Sequence, residues 1–264
     1  MKGANPSFPE MYEQHLVGPL FRPWAEIALD EVGLSSGDRL LDVACGTGIV
    51  ARVARERLGE SVYVVGVDVN PQMIAVAREV APAIDWREGN AGGLPLHDGE
   101  RFNVVVCHQG LQFFPDKAAA AVQMRGALAP GGRIAVATWR ADDEMPFVRE
   151  LRLVAERRLG PIADPRHSFP DAGALEALLR GAGFGNVGVR TMSRTTRFSD
   201  GAPFLRMNTT ALIGMSALGK QMDQEERQRV ASEIIAESAP VLHCFADGSG
   251  IAFELATNIA TAES

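Results

Sequence analysis

The residues best suited to chemistry stand in a glycine-rich turn within LLDVACGTGIV, residues 40–50. Gly46 and Gly48 lack a Cβ atom, so they allow both a tight turn and the close approach of a ligand to the backbone. A helix is predicted to begin near Ile49, and the free N–H groups of its first turn attract an anionic group. The sequence therefore predicts a ligand-binding loop between a strand and a helix.

Two carboxylates flank this loop. Asp68 ends the second apolar run about twenty residues later, where a carboxylate accepts hydrogen bonds from both hydroxyls of a ribose. Residues 46–51 also satisfy the GxGxxG/A dinucleotide pattern, so the loop alone leaves dinucleotides, phosphates and S-adenosylmethionine as candidate ligands. Asp42 lies inside the strand end. A buried carboxylate there would repel a pyrophosphate but would suit a ligand with a positive amino group.

The elements that position these residues alternate regularly between residues 36 and 140. The predicted strands are DRLLDVA, VYVVGVDV, IDWREGN, RFNVVVCHQ and RIAVATW, with helical segments between most of them. Near-continuous apolar strands that alternate with helices are typical of a parallel sheet covered on both faces. We therefore predict an α/β fold with a mostly parallel sheet.

Helices dominate beyond residue 140. MPFVRELRLVAERRLG and FPDAGALEALLRGAGF predict two helices, the second capped by Asp171 and stopped at Gly183. After a strand at NVGVRTM, two helices are expected before a last strand at IAFELATNI, and Asp223 and Glu226 form a capping pattern at the second of them. An insert between two late strands suits a lid or a substrate-recognition element, and helices that only complete the core are an equal alternative.

Composition restricts the class of partner. The chain has 264 residues and a formal net charge of −7, which argues against a nucleic-acid or anionic-membrane partner, since both need a positive field. The three cysteines are scattered, with no spacing that suits a metal site. The first residues lack the apolar core of a secretory signal, and no apolar run reaches membrane-spanning length. We expect a cytoplasmic protein with no metal, and the oligomeric state stays open.

Residues 36–140 resemble the class I S-adenosylmethionine-dependent methyltransferases, in the broad group that includes the quinone-biosynthesis enzymes. The motifs that carry the resemblance are DVACGTG, EGNAGGLPL, FNVVVCHQGLQFFPD and LAPGGRIAVATW, in that order. The resemblance implies a Rossmann-like methyltransferase fold with a mostly parallel seven-stranded sheet, helices on both faces and a helical insert before the last strand. It divides the chain into an N-terminal helical segment over the cofactor site (1–35), a cofactor-binding core (36–198), an insert or lid (199–240) and a final strand (241–264).

The resemblance also implies roles for single residues. Ala44, Cys45 and Gly46 would face the methionyl part of S-adenosylmethionine with Asp42 near its amino group, and Asp68 would hold the ribose. Val69 and Met73 would flank the adenine, and Asn90, where the family often has aspartate, would read the adenine edge with Ala91. Tyr12 would close over the cofactor. The implied cofactor-binding residues are Tyr12, Asp42, Ala44, Cys45, Gly46, Gly48, Asp68, Val69, Met73, Asn90, Ala91 and His108.

The activity implied is transfer of a methyl group from S-adenosylmethionine to a small, partly apolar molecule by in-line displacement. His108 is the catalytic candidate, as a base or a substrate-orienting group, because it follows a parallel strand at its C-terminal end. His243 is a second, weaker candidate. Two alternatives remain: an NAD-dependent oxidoreductase that uses the same loop, and a non-enzymatic protein that binds S-adenosylmethionine. The residues that could roof a substrate pocket are Phe113, Phe114, Trp139, Met145, Phe147, Phe204, Met207 and Met215.

Overall fold

The computed structural model describes residues 6–264, which form one mixed sheet flanked by helices. No helix within this range is both long enough and apolar enough to cross a membrane. The strands are β1 Arg39–Val43, β2 Tyr63–Asp68, β3 Asp85–Glu88, β4 Phe102–His108, β5 Leu128–Trp139, β6 Gly185–Phe198, β7 Ala246–Asp247 and β8 Gly250–Glu263. The α-helices are α1 Phe8–Tyr12, α2 Arg22–Glu31, α3 Ile49–Leu58, α4 Pro71–Val80, α5 Lys117–Ala127, α6 Pro146–Leu159, α7 Ala172–Gly181, α8 Gly201–Met215, α9 Gln224–Glu237 and α10 Ala239–Cys244.

The sheet has the order β3-β2-β1-β4-β5-β8-β6, and β7 pairs with β8 outside this path. Strands β1 to β5 are parallel, whereas β8 runs antiparallel to both β5 and β6. The mostly parallel α/β sheet predicted from the alternation is therefore confirmed. The sheet has eight strands where seven were expected, because the two residues of β7 form a short hairpin with the start of β8.

Both faces of the central strands are buried, which explains why their sequences are apolar throughout. Helices α2, α3 and α4 pack on one face through a cluster that includes Ala28, Val53 and Ile74. Helices α5 and α7 cover the other face, where Met124 and Leu179 are fully buried. This two-sided burial is the arrangement that a parallel sheet requires.

The predicted helix boundaries hold where a cap specifies them. The Asp171 side chain accepts a hydrogen bond from the backbone of Ala174, and Asp223 and Glu226 form a reciprocal capping box. After α5 the Pro-Gly-Gly run at residues 130–132 lies inside β5, which already begins at Leu128. Gly131 has a φ of +73° there, and the pairing of β5 with β4 shifts register in this region.

The N-terminal segment is helical from Phe8 to Glu31. Between α1 and α2 it forms a π-helix, Glu13–Phe21, which contains Pro19. A proline lacks the N–H group that an α-helical ladder needs, so the wider turn is a physically reasonable response. Three ion pairs hold the segment to α3: Glu13–Arg52, Arg22–Glu56 and Asp30–Arg57.

The helical insert lies between β6 and β8, as predicted, and it extends through α10 to Cys244 rather than ending near residue 240. Helix α8 packs with α6 and α9 through Leu212, Ile213 and Val154. The opposite side of α8 faces the cavity described below. The insert therefore contributes to the hydrophobic core and to the wall of the cavity at once.

Candidate functional site

A cavity of about 540 Å³ opens at the carboxyl ends of β1, β2 and β4. Strand β1 pairs with β2 on one side and β4 on the other, so the strand order reverses at this point. Open α/β sheets bind ligands at such a switch point. The π-helical segment and α8 supply two further walls. The predicted cofactor-binding residues that line the cavity are Tyr12, Asp42, Ala44, Cys45, Gly46, Asp68, Val69, Met73, Asn90, Ala91 and His108.

The loop after β1 is held by the backbone. The N–H of Cys45 donates to the carbonyl of Val67 at 3.0 Å, and the N–H of Gly48 donates to the carbonyl of Cys45 at 2.8 Å. Gly46 has a φ of +56°, and no atom lies within 4 Å of the place where a Cβ would project. The loop therefore leaves its backbone open to a ligand at Gly46.

Gly48 is the one predicted cofactor-binding residue that does not line the cavity. Its φ is +86°, and a Cβ there would lie 2.1 Å from the indole ring of Trp86 on β3. Trp86 is itself fixed by a hydrogen bond from Nε1 to the carbonyl of Ala81 at 2.9 Å. Glycine at position 48 is therefore required by the start of α3 and by packing against Trp86.

Asp42 is buried, and only one of its carboxyl oxygens has a partner. Oδ2 accepts a hydrogen bond from the N–H of Ala51 at 3.2 Å, while Oδ1 has no hydrogen-bond partner among residues 6–264. Burial raises the pKa of Asp42 to about 7; the Ala51 hydrogen bond opposes this shift and the charge of Asp68 adds to it. An unpaired buried carboxyl oxygen at a cavity is a site where a positively charged group is stabilised.

Asp68 lies at the end of β2 with its carboxylate in a fixed orientation. It accepts hydrogen bonds from the N–H groups of Gly46 and Asn70, both at 2.8 Å. Burial raises the pKa of this carboxyl, and these backbone hydrogen bonds oppose the shift. Each oxygen retains a second lone pair for a ligand hydroxyl.

The residues predicted to surround the adenine lie beside Asp68. Val69 is 66% exposed, an unusual fraction for a large apolar side chain and one that a stacked ring would cover. Oδ1 of Asn90 accepts a hydrogen bond from the N–H of Gly92 at 2.8 Å, so the side-chain oxygen also shapes its own turn. Ala91 is buried behind this turn. These residues line the cavity on the side of Asp68.

Tyr12 and Phe21 cover the cavity from the N-terminal segment. Their ring centroids are 5.0 Å apart. Burial raises the pKa of the Tyr12 hydroxyl, and the nearby charges of Glu13 and Asp68 add to this effect. Tyr12 therefore presents a neutral phenol to the cavity across the physiological pH range.

His108 lies at the end of β4 and lines the cavity. Its Nε2 is buried without a hydrogen-bond partner in the described part of the chain, and its ring meets Phe21 edge to face at 6.3 Å. Burial lowers the pKa of His108 to about 4, so the ring is neutral near pH 7. A neutral ring in this place can orient a ligand through one hydrogen bond, but it is a weak proton acceptor.

Apart from the predicted cofactor-binding residues, the cavity is lined mostly by apolar side chains. We call this part the apolar half of the cavity. Six of the eight residues suggested as a roof line it, whereas Met145 and Phe147 are fully buried in the core behind it. His243 is exposed on α10 and does not line the cavity. The roof residues that line it are Phe113, Phe114, Trp139, Phe204, Met207 and Met215.

A polar corner of this half was missed by the sequence reasoning. Arg166 and His167 reach it from a short 3-10 turn, Pro165–His167, and Asn208 reaches it from α8. The segment has no periodicity or known motif that would have indicated a site. Its only local signal is Asp164, which caps the turn through a hydrogen bond from the N–H of Arg166 at 2.9 Å.

Comparison with known proteins identifies the family of this chain. Residues 40–132 match the family model of a methyltransferase domain. Nocamycin O-methyltransferase from Saccharothrix syringae is 30% identical over 240 residues, which cover 82% of this chain and 83% of that protein. The chain belongs to the class I S-adenosylmethionine-dependent methyltransferases. The resemblance inferred from the ordered motifs is thereby confirmed.

One further relative and one solved structure add to this result. The ubiquinone/menaquinone biosynthesis C-methyltransferase of Cronobacter sakazakii is 29% identical to this methyltransferase over 194 residues, which cover 66% of this chain and 77% of that protein. Phosphoethanolamine N-methyltransferase 2 of Haemonchus contortus, solved with S-adenosyl-L-methionine, superposes with a TM-score of 0.56 at 17% identity, covering 97% of this chain and 55% of that one. The latter comparison shows the shared fold. The cofactor of this methyltransferase is S-adenosylmethionine.

Proposed function

We propose that the eleven lining residues named above hold S-adenosylmethionine, with its amino acid portion at Asp42 and its ribose at Asp68. The observation that carries this placement is the unpaired buried oxygen of Asp42 beside the open backbone at Gly46. A dinucleotide would bring a pyrophosphate to this carboxyl, at an electrostatic cost. S-adenosylmethionine brings an ammonium group instead.

The apolar half of the cavity is proposed to hold the methyl acceptor. The cofactor, when bound, supplies an electrophilic methyl group on a sulfonium. The protein must then hold the acceptor atom in line and exclude water, which accounts for much of the rate in such reactions. The N-terminal segment and α8 would exclude water, and His108 would orient the acceptor. The aromatic lining fits a flat, partly apolar molecule.

Calorimetric titration with S-adenosylmethionine, S-adenosylhomocysteine and NAD tests this proposal. We expect saturable binding of the first two ligands and none of NAD. Binding of NAD alone would contradict the placement, because it would mean that the loop accepts a pyrophosphate. A net charge of −7 also supports a small-molecule acceptor over nucleic acid. The cytoplasmic location stays a prediction from composition.

The titration of Asp42 gives a second prediction. The pKa of Asp42 in the free protein is raised to about 7, so a part of the free protein molecules carries a protonated Asp42 at neutral pH. A bound ammonium group favours the carboxylate, so cofactor affinity should rise from about pH 6 to pH 7.5, with proton release on binding. For the free protein the sign is opposite: a raised carboxyl pKa makes this group lower the free energy of unfolding as pH rises through about 4 to 7.

Calorimetry in buffers of different ionisation enthalpy measures the proton release directly. Asp42→Asn should remove the proton release that this carboxyl contributes and weaken binding, while the free variant should be at least as stable as the parent near pH 7.5. Methylthioadenosine, which lacks the amino acid portion, is the matched control ligand and should bind with little dependence on pH. Equal pH dependence for both ligands would place the amino group away from Asp42.

A further inference from the structure

A network of hydrogen bonds holds the polar corner together. Its residues are Asp164, Arg166, His167 and Asn208. Nε of Arg166 donates to both oxygens of Asp164 at 2.9 Å, and Nη2 donates to Oδ2 of Asp164 at 2.6 Å. Nη1 donates to Oδ1 of Asn208 at 2.9 Å. A guanidinium has five N–H groups, so two remain for a ligand after these contacts. The corner therefore presents hydrogen-bond donors to the cavity from a fixed side chain.

The charge of this donor is balanced within the corner. Burial disfavours the charged form of Asp164, but the hydrogen bonds and positive charge of Arg166 outweigh it, so the pKa of this carboxyl is lowered. Arg166 is thus paired with a carboxylate near neutral pH. A paired guanidinium suits an oxygen on which negative charge develops during a reaction, and it disfavours an acceptor that is already an ammonium cation.

His167 stands next to this donor with one fixed tautomer. Its Nδ1 lies 2.9 Å from the carbonyl oxygen of Arg140. A carbonyl oxygen only accepts, so Nδ1 carries the proton and Nε2 carries the lone pair in the neutral ring. Nε2 makes no hydrogen bond with residues 6–264 and, unlike Nε2 of His108, it is not fully buried.

His167 is in the neutral form that a proton acceptor needs. Burial lowers its pKa, and the positive charge of Arg166 adds to this. The charges of Asp164 and Asp142 and the Arg140 carbonyl oppose the lowering of this pKa, whereas at His108 burial is the only cause and nothing opposes it. The ring is neutral at pH 7 and lines the same cavity as the aromatic roof.

We propose that the methyl acceptor is the hydroxyl of a flat phenol or enol, that Nε2 of His167 takes its proton, and that Arg166 binds the same oxygen. This inference rests on the proposed function, because it assumes that the acceptor occupies the apolar half of the cavity. His167 is then a catalytic residue, whereas Asp164 and Asn208 are positioning residues that fix Arg166.

The reaction balances with one proton released. The hydroxyl proton moves to Nε2 of His167, and an electron pair of the acceptor oxygen forms the new bond to the methyl carbon. The carbon–sulfur bond breaks with its electrons on sulfur, which gives a methyl ether and S-adenosylhomocysteine. The imidazolium of His167 then loses its proton to solvent. No further reactant is needed.

Binding of para-nitrophenol to the protein saturated with S-adenosylhomocysteine tests the proposal without turnover. The phenol and phenolate forms of this probe absorb at different wavelengths. At a pH just below the pKa of the free probe, we expect the bound probe to show a phenolate-to-phenol ratio about tenfold above that of the free probe, which corresponds to one pKa unit. Para-nitroaniline, of nearly the same shape, should bind more weakly because it gains nothing from Arg166.

His167→Asn is the informative variant, since its amide can still donate to the carbonyl of Arg140 but has no basic nitrogen. Bound to this variant, the probe should show a clearly smaller rise in its phenolate-to-phenol ratio than in the parent, because only Arg166 then stabilises the phenolate, while the affinity for S-adenosylhomocysteine stays unchanged. Arg166→Lys should weaken probe binding. The matched control His97→Asn, an exposed histidine outside the cavity, should behave as the parent.

The outcomes separate this inference from the proposed function. Failure of the parent protein to bind S-adenosylhomocysteine would contradict the proposed function itself. Normal cofactor binding with no saturable probe binding, with an unshifted spectrum, or with the same shift in His167→Asn, would overturn the role of this corner. With accepted phenols, His167→Asn should lower kcat about 100-fold or more, with O-methyl ethers as the parent's products. A carbon-methylated product would overturn the choice of oxygen.

Discussion

Replacing Asp68 with alanine is expected to reduce the affinity for S-adenosylmethionine and S-adenosylhomocysteine by at least about 100-fold. The proposed contacts are two hydrogen bonds from ribose hydroxyls to a charged carboxylate, each worth about 1.5–3 kcal/mol. The same side chain orients the loop through the N–H groups of Gly46 and Asn70. Its removal therefore loses the direct contacts and loosens the backbone that faces the methionyl portion.

Calorimetry and ligand-dependent thermal shifts measure this effect. Asp68→Ala should remain folded. Burial raises the pKa of this carboxyl, which means that its charged form is unfavourable in the free protein. Asp68→Asn, which keeps one acceptor oxygen, should bind with intermediate affinity. Asp98→Ala, in the exposed turn between β3 and β4, is the control and should bind as the parent. If Asp68→Ala bound the cofactor with the affinity of the parent, the ribose could not lie at this position.

The part of the site that is built by consecutive strands and helices could be predicted from the sequence. Asp42, Asp68, Asn90 and His108 each lie at or just beyond the carboxyl end of a parallel strand. The alternation of strands and helices places all such ends on one edge of the sheet. Their convergence on one cavity could therefore be predicted without knowledge of any side-chain contact.

The apolar half of the cavity could not be predicted in the same way, because it is built by segments that meet only through tertiary packing. Arg166 and His167 come from a turn without periodicity, and Asn208 comes from α8, about forty residues later. The π-helix at Glu13–Phe21 was missed because no local pattern distinguishes it from an irregular segment. Phe147 was placed in the roof, but its aromatic character reflects core packing against Phe204 and Phe253.

The two glycines of the loop, which look equivalent in the sequence, should respond differently to the same substitution. Gly48→Ala adds a methyl group 2.1 Å from an atom of Trp86 and forces alanine into a φ of +86°. The backbone strain costs about 1–2 kcal/mol and the overpacking about 1–3 kcal/mol, so the free energy of unfolding should fall by about 2–5 kcal/mol. For a chain of this size that corresponds to a fall in Tm of roughly 5–15 °C.

Gly46→Ala is the matched variant at the other end of the same turn. Its φ of +56° imposes a similar backbone strain, but its Cβ would meet no atom within 4 Å. Its loss of stability should therefore be limited to about 1–2 kcal/mol. Because position 46 lines the cavity and position 48 does not, Gly46→Ala should instead weaken cofactor binding.

Thermal unfolding and calorimetry on both variants distinguish these two roles. The expected pattern is crossed: a large fall in Tm with Gly48→Ala, and a large fall in affinity with a small fall in Tm for Gly46→Ala. Trp86→Phe should partly restore the stability of Gly48→Ala, since the smaller ring frees the space that the new methyl group needs. Equal losses of stability in the two glycine variants would show that backbone strain, rather than contact with Trp86, decides why glycine is needed at position 48.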